Sequence, residues 1–268
     1  MDIKKIMKEY YNVIKIPTSS LRRRPDFLII GAQKSGTTSL FSFIAQHPDC
    51  RMPSKKEIHY FDLNYSKGLK WYLAHFPLYN GKITGEATPY YLFHPDVPSR
   101  VKELFSDIKI IVILRNPIDR AYSHFQMERR NKREVIPDFF EAICQEEIRL
   151  SEAYNKGMIQ NQKFIHQHKS YLSRGLYYTQ LKRWYNLFDS NNIVVFIYED
   201  FFDNPSKYFK RICDHLNLPY TEKIKFSTLN KGDYNPSISL EEHNHLKEFF
   251  IADIRNLDSE LGIKTNWF

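Results

Sequence analysis

Residues 27–44, "FLIIGAQKSGTTSLFSFI", contain two glycines with the spacing of a phosphate-binding loop. Gly31 and Gly36 fit the pattern G-x-x-x-x-G-K-[ST], but Thr37 stands where the lysine of a nucleotide triphosphatase is expected. The nearest lysine is Lys34, inside the loop. Backbone N–H groups at the start of a helix bind anions, so the segment predicts a phosphate site with an internal cation. It disfavours an ATP or GTP hydrolase, whose loop lysine reaches the β and γ phosphates.

A second anion site is predicted at the end of the apolar run 108–115, "IKIIVILR". Arg115 ends this run, and Ser123 lies farther along the helix that is predicted to follow. A guanidinium fork and a hydroxyl suit a second phosphate. The alternative is that Arg115 pairs with a carboxylate such as Asp119 or Glu199.

The segment "KKEIHYFD" supplies a carboxylate and an imidazole, Glu57 and His59, either of which could accept a proton from an attacking group. In an extended chain, residues two apart point to the same side, so both side chains would face one pocket. The alternative is a carboxylate held in an ion pair with Lys55 or Lys56.

The other histidines and the cysteines show no metal-ligand spacing. His166 and His168, and likewise His243 and His245, are separated by one residue without further ligands nearby, so we expect surface histidines and no metal site. Three isolated cysteines predict reduced thiols and no disulfide framework.

Three short runs rich in β-branched residues each precede a segment with helical apolar spacing. The predicted strands are 26–32, 108–115 and 191–200, and the predicted helices are 37–47, 117–133 and 204–218. Asn116 is the expected N-cap of the second helix, with proline at its first position. Two further helices are expected, within 174–188 and near 239–262. Alternation of strands and helices predicts an α/β fold, a P-loop-type parallel β-sheet flanked by helices on both faces.

The length of 268 residues suits one domain, residues 25–268, with residues 1–24 as an N-terminal extension. A net charge of +8 favours anionic partners. Basic clusters without an aromatic RNA-binding pattern argue against nucleic acid. No apolar run has the length of a membrane span or a signal peptide, so we expect no membrane span and a cytoplasmic location.

Five motifs in this order resemble the sulfotransferases that use 3′-phosphoadenosine 5′-phosphosulfate (PAPS). They are "GAQKSGTTSL", "KEIHYFDLNYSKGLKWYLAHFP", "GEATPYYLFHP", "VILRNPIDRAYSHF" and "LNKGDYNPSI". The resemblance covers about residues 25–268 and is strongest to the heparan sulfate N- and 3-O-sulfotransferases and their bacterial relatives.

The resemblance implies a sulfotransferase that needs no divalent metal and moves a sulfonyl group from PAPS to a hydroxyl or amine. PAPS carries a 5′-phosphosulfate and a 3′-phosphate, which accounts for two anion sites without a γ-phosphate site. By this resemblance the 5′-phosphosulfate is held by Lys34, Ser35, Gly36, Thr37 and Thr38. The 3′-phosphate is held by Arg115 and Ser123, under a closing loop that contains Lys231 and Gly232.

The same resemblance implies that Glu57 is the general base, with His59 as its partner or substitute. Lys34 then stabilises charge on the leaving phosphate. The heparan 3-O enzymes carry basic residues where Thr38 and Ala87 stand here, and their C-terminal cysteine pair is absent. We therefore expect a small-molecule or glycolipid acceptor rather than a polyanionic sugar chain.

Two other functions stay open at this point. A P-loop kinase of small metabolites would bind ATP with Mg²⁺, and a basic nucleic-acid-binding module would bind oligonucleotides with a steep salt dependence. The sequence identifies neither the acceptor nor the oligomeric state.

Overall fold

The computed structural model describes residues 14–155, 160–227 and 238–268. Within them, four strands form one parallel sheet in the order β2-β1-β3-β4. The strands are β1 (Phe27–Gly31), β2 (Gly85–Ala87), β3 (Lys109–Leu114) and β4 (Ile193–Ile197).

The helices that follow β1, β3 and β4 confirm the predicted strand–helix units. In chain order the α-helices are α1 (Thr37–Ala45), α2 (Tyr60–Leu63), α3 (Gly68–Leu73), α4 (Val97–Leu104), α5 (Pro117–Arg130), α6 (Phe139–Cys144), α7 (Glu146–Asn155), α8 (Gln160–His168), α9 (Tyr177–Tyr185), α10 (Tyr198–Asp203), α11 (Pro205–His215) and α12 (Leu240–Leu261). Short 3₁₀ turns cover Ile16–Leu21, Tyr65–Lys67, Ser173–Gly175 and Ser190–Asn192.

Strand β2 is the one strand of the sheet that the apolar pattern did not predict. It has three residues, of which Glu86 is a carboxylate, so no apolar run marks it. Its pairing with β1, where Leu28 lies opposite Glu86, assigns it to the sheet. Only tertiary pairing identifies such a strand, because the local pattern is too short.

Alternate strand residues pack on opposite faces of the sheet, as the period of two requires. On one face Leu28 and Val112 pack with residues of α3 and α9. On the other face Ile29 and Ile111 pack with residues of α1 and α11. The sheet therefore has helices on both faces, which confirms the predicted fold class.

The N-terminus of α5 is fixed directly after β3. The Asn116 side chain accepts hydrogen bonds from the backbone N–H groups of Ile118 (3.0 Å) and Asp119 (3.5 Å), and Pro117 occupies the first helical position. This is the predicted cap. It places α5 at the carboxyl end of β3, where ligands bind in open parallel sheets.

Candidate functional site

The loop between β1 and α1 lies at the carboxyl ends of the strands. The Ala32 N–H donates to the carbonyl oxygen of Ile113 in β3 (2.7 Å), and the Ser35 N–H donates to the carbonyl oxygen of Ala32 (3.2 Å). These bonds attach the loop to the neighbouring strand and close it on itself. The first turn of α1 follows at Thr37.

Gly36 is required at the N-cap of α1 for two physical reasons. Its φ angle is +83°, in the left-handed region that side chains disfavour. A Cβ atom there would lie 2.7 Å from Cε2 of Phe202 and 3.1 Å from Cε2 of Tyr198. The loop thus has no room for a side chain at this position.

Lys34 is the half-buried cation of the loop and also has a left-handed backbone, with φ at 69°. Its pKa is lowered, first by burial and then by the positive charges of Arg130 and Arg115. A cluster of cations that repel one another is a suitable place for an anion, whose binding relieves the repulsion.

The loop hydroxyls differ in exposure. Ser35 is fully buried, and its hydroxyl has no hydrogen-bond partner among the residues that the structure describes. Thr37 is buried and Thr38 is half-buried. A buried hydroxyl without a partner is costly, so the Ser35 hydroxyl is a candidate ligand of a bound group.

Arg115 follows β3 and reaches the loop. Its Nη1 atom lies 3.4 Å from the carbonyl oxygen of Lys34, and its guanidinium carbon lies 5.0 Å from the centre of the Tyr198 ring. The alternative pairing with Asp119 exists only as a long contact, 3.9 Å from Nη2 to Oδ2. Glu199 instead accepts from the backbone N–H of Asn116 (3.0 Å).

Ser123 is buried. It lies on α5, the helix whose N-cap, Asn116, directly follows Arg115. The remaining predicted ligands, Lys231 and Gly232, lie outside the described residues.

Glu57 and His59 lie at the opposite edge of the loop, beside β2. The Glu57 N–H donates to the carbonyl oxygen of Ala87, the last residue of β2 (3.0 Å). The segment is not extended: Glu57 and His59 have φ angles of 60° and 56°. The two side chains still meet, since His59 Nε2 lies 3.7 Å from Glu57 Oε2. The ion pair with Lys56, which the sequence left open as the alternative role of Glu57, is also present, with 2.6 Å from Nζ to Oε1.

The charged side chains of Lys56, Glu57, His59 and Asp62 stabilise one another. Burial alone would raise the pKa of Glu57, but hydrogen bonding to His59 and the charge of Lys56 outweigh it and lower the pKa to about 2. Burial would lower the pKa of His59, but Asp62 (2.7 Å from Nδ1) and Glu57 raise it to about 9. At neutral pH Glu57 is therefore a carboxylate and His59 is an imidazolium.

Glu86 is a supporting residue of this edge whose role the sequence reasoning missed. Its buried carboxylate accepts hydrogen bonds from the hydroxyls of Tyr72 (2.7 Å), Tyr91 (3.0 Å) and Thr88 (2.8 Å). The Tyr91 hydroxyl in turn accepts from the backbone N–H of Tyr60 (2.9 Å), the first residue of α2. Glu86 thus anchors the helix that begins immediately after His59.

Two buried arginines were also missed, Arg120 and Arg174. Arg120 Nη2 donates to the carbonyl oxygen of Tyr171, while its Nε and Nη1 atoms have no partner among the described residues. Burial lowers the pKa of both guanidinium groups. His166 was expected at the surface but is buried, with its ring stacked on Phe93 (4.4 Å between centres). Helical periodicity over short segments did not distinguish the buried positions of Arg120, Arg174 and His166 from exposed ones.

The chain is similar to known sulfotransferases. A family model described as the sulfotransferase domain matches residues 24–249. The membrane-associated sulfotransferase kil1 of Dictyostelium discoideum is 27% identical in an alignment that covers 99% of this chain and 71% of that protein. Human heparan sulfate glucosamine 3-O-sulfotransferase 3B1 is 30% identical over 87% of this chain and 62% of its own length.

A solved sulfotransferase structure from Alicyclobacillus acidocaldarius superposes with a TM-score of 0.75 at 28% identity, covering 91% of this chain and 98% of the other. These matches confirm the resemblance and the fold that the motifs predicted.

The predicted cytoplasmic location is wrong. The relative that matches nearly the whole chain is named as membrane-associated, so the lack of a long apolar run does not assign the compartment. In the described ranges, no helix combines the length and the apolar character needed to cross a bilayer.

Proposed function

This chain belongs to the sulfotransferase domain family, and we propose that it transfers a sulfonyl group from PAPS to a hydroxyl or amine of a glycan or small-molecule acceptor. PAPS is the sulfonyl donor of the family. The observation that carries the proposal is the order of groups along the sheet edge. Arg115 follows β3, the anion loop follows β1, and Glu57 is bonded to the end of β2. A doubly phosphorylated donor and a proton acceptor thus have separate places on the two sides of one loop.

The donor site is assigned in two parts. The 5′-phosphosulfate is assigned to the loop residues Lys34, Ser35, Gly36, Thr37 and Thr38. The 3′-phosphate is assigned to Arg115 and Ser123, with Lys231 and Gly232 in the closing segment. Two features support this fit: the unpartnered buried hydroxyl of Ser35, and the absence of space for a Cβ atom at Gly36. The Ser35 hydroxyl can donate to a phosphate oxygen, and glycine at position 36 lets the loop pack closely on Phe202 and Tyr198 as it enters α1, whose first backbone N–H groups bind anions.

Lys34 is assigned to the leaving group. As the bond between sulfur and the bridging oxygen breaks, negative charge grows on the 5′-phosphate of the departing nucleotide. A half-buried ammonium group stabilises that charge more strongly than water does. The neighbouring charges of Arg115 and Arg130 add to the positive potential at the loop.

Glu57 is assigned as the base because it is ionised at neutral pH, whereas His59 with a pKa of about 9 is protonated and cannot accept a proton. A carboxylate with a pKa of about 2 is a weak base towards a neutral hydroxyl. Proton transfer to it becomes favourable once the attacking oxygen has begun to bond to sulfur and has become acidic. His59 and Lys56 then hold the carboxylate in place.

The transfer step balances as an in-line displacement. The acceptor oxygen or nitrogen donates an electron pair to sulfur, and the bond from sulfur to the bridging oxygen breaks with its electron pair staying on the phosphate. Glu57 takes the proton of the attacking group. The products are a sulfated acceptor and 3′-phosphoadenosine 5′-phosphate (PAP).

The acceptor class rests on the relatives. One of them is named for heparan sulfate glucosamine, and another is named as membrane-associated, so a glycan or a glycolipid is a suitable acceptor. Thr38 and Ala87 lack the positive charge that would favour a highly anionic chain.

The test is transfer of label from PAPS to a panel of acceptors: 4-nitrophenyl glucosaminide, desulfated heparan oligosaccharides and glycolipid vesicles. We expect labelled product from at least one of them. PAP should raise the melting temperature by mass action, and 5′-AMP, which lacks the 3′-phosphate, should do so far less. Equal shifts from the two nucleotides, or a shift that needs ATP with Mg²⁺, would contradict the proposal.

A further inference from the structure

The peptide unit between Arg115 and Asn116 is held at both of its polar groups. The carbonyl oxygen of Arg115 accepts a hydrogen bond from the hydroxyl of Tyr177 in α9 (2.8 Å). The backbone N–H of Asn116 donates to Oε1 of Glu199 in α10 (3.0 Å). Both groups belong to one planar unit that includes the Cα atom of Arg115. The direction in which the Arg115 side chain leaves the backbone is therefore fixed at the end of β3.

Trp267, which follows α12, contacts both of the residues that hold this unit. Its indole N–H, at Nε1, donates to Oε2 of Glu199 (3.0 Å), and its ring centre lies 5.8 Å from that of Tyr177. Trp267 is half-buried and packs against the two core clusters that contain Leu114 of β3 and Ile118 of α5. One side chain therefore spans the junction between this strand and this helix.

The Glu199 carboxylate has one donor for each of its oxygens. Oε1 accepts from Asn116 and Oε2 accepts from Trp267. Glu199 and Arg115 also act on the same hydroxyl, because burial raises the pKa of Tyr177, the charge of Glu199 raises it further, and that of Arg115 lowers it. A carboxylate so close to a guanidinium group competes with phosphate oxygens for its N–H donors, unless its own oxygens are bound elsewhere.

The guanidinium group of Arg115 forms no ion pair with Glu199 in the described ranges of the chain. Its contact with an acid there is the long one to Asp119, 3.9 Å from Nη2 to Oδ2. Its guanidinium carbon also lies 5.0 Å from the centre of the Tyr198 ring. Because the carboxylate of Glu199 is bound elsewhere, the N–H fork of Arg115 can pair with phosphate oxygens.

We propose that Trp267 is a positioning residue for the 3′-phosphate: it holds Glu199 in its bond to Asn116 and away from Arg115, so that the guanidinium group meets the phosphate. The inference rests on the proposed sulfotransferase function, because that function assigns the 3′-phosphate to Arg115. Trp267 acts through Glu199 and is assigned no contact with the donor. It lies outside the five sequence motifs, so the motifs alone did not indicate it.

Trp267→Phe removes the indole N–H and keeps an aromatic ring against Tyr177. The oxygen of Glu199 that loses its donor can then turn to Arg115. We expect the Kd for PAP to rise about tenfold, the worth of one charge-assisted hydrogen bond. The Kd for 5′-AMP, which has no 3′-phosphate, should stay within about threefold of wild type. Calorimetry below the melting temperature of each variant measures both constants, and a general loosening of the fold would weaken both nucleotides alike.

A charge-neutral background tests the route through Glu199. In Glu199→Gln the side-chain oxygen can still accept from Asn116, but no negative charge is left to pair with Arg115. Trp267→Phe should therefore cause no further loss of PAP affinity in this background. It should also cause none in Arg115→Ala, where the guanidinium group is absent. A full, additive loss in either background would mean that Trp267 does not act through this pair of residues, and it would overturn the inference.

Trp71→Phe is the matched control. Trp71 is likewise half-buried and packs on an aromatic neighbour, with 4.5 Å between its ring centre and that of His75, but it lies on α3. The substitution removes an indole N–H in the same way. It should leave the Kd values for PAP and 5′-AMP unchanged, and a tenfold loss of PAP affinity here too would contradict a specific role for Trp267.

The remaining outcomes separate this inference from the proposed function. Unchanged PAP affinity in Trp267→Phe, or an equal loss for PAP and 5′-AMP, overturns the positioning role. Tighter binding of PAP than of 5′-AMP by the wild type would still support a PAPS-dependent enzyme in that case. A wild type that binds the two nucleotides equally overturns both proposals.

Discussion

The Nε2 atom of His59 lies 3.7 Å from the Oε2 atom of Glu57, and each of the two residues has a second charged partner. Lys56 lies 2.6 Å from the other oxygen of Glu57, and Asp62 lies 2.7 Å from Nδ1 of His59. The four side chains form a row of alternating charges. This row determines which group can accept a proton and how stability depends on pH.

The first prediction concerns turnover. Glu57→Gln keeps the shape of the side chain and removes its capacity to take a proton, so turnover should fall by about 10²- to 10⁴-fold. PAP affinity should stay within about threefold, because the residue lies on the β2 side of the loop. Turnover with labelled PAPS and calorimetry with PAP are the measurements.

Glu103→Gln is the control for this change, since Glu103 accepts a hydrogen bond from the hydroxyl of Tyr65 on the exposed surface. It should leave turnover unchanged. An active Glu57→Gln enzyme together with an inactive His59→Ala enzyme would reverse the roles assigned to the two residues.

The second prediction concerns stability at alkaline pH. The pKa of His59 is raised from 6.5 to about 9 in the folded protein, so its stabilising contribution is fully present below pH 6.5. That contribution is lost as the pH rises through about 9. The free energy of unfolding in urea should therefore fall between these values, and the fall should be smaller in His59→Gln. An identical pH dependence in both proteins would mean that His59 is not an imidazolium in the folded state.

The third prediction concerns the 3′-phosphate. Arg115→Ala should weaken PAP binding by about 2 to 4 kcal/mol, the worth of charge-assisted bonds to phosphate, without unfolding the protein. Arg115 is partly exposed at a strand end, where its guanidinium group makes long contacts with Lys34 and Asp119 and lies over the Tyr198 ring. Calorimetry with PAP is the measurement.

Arg100→Ala provides the matched control for the third prediction. Arg100 also pairs with an aspartate four residues away, with 2.8 Å from its Nη2 atom to Oδ2 of Asp96, but Arg100 lies on α4. This variant should bind PAP like the wild type. Unchanged affinity in Arg115→Ala would instead assign that residue to its contacts within the protein.

The fourth prediction compares two glycines with nearly the same φ angle. Gly36 and Gly81 have φ angles of +83° and +82°, but only Gly36 has atoms where a Cβ would lie. Gly81→Ala should cost about 1 kcal/mol of stability from backbone strain alone. Gly36→Ala should cost more and should weaken PAP binding at least tenfold, because Phe202 or the loop must move. Thermal unfolding and PAP calorimetry test the pair, and equal effects of the two changes would show that packing around the loop is unimportant.

The sequence by itself determined the strand–loop–helix units at β1, β3 and β4, the cap at Asn116 and the anion loop around Lys34. These features depend on residues close in the chain: apolar periodicity, proline and asparagine at a helix start, and glycine at a turn. The same local information predicted that Glu57 and His59 would lie near each other.

Tertiary structure decided the features that depend on residues far apart in the chain. Strand β2 is too short for a pattern and is defined by its pairing with β1. The contact of Arg174 with Gln33 joins residues 141 positions apart. Glu57 and His59 meet through two left-handed backbone conformations, not through an extended strand. Local propensity cannot encode such contacts, because their free energy comes from packing and hydrogen bonds that exist only once the sheet has assembled.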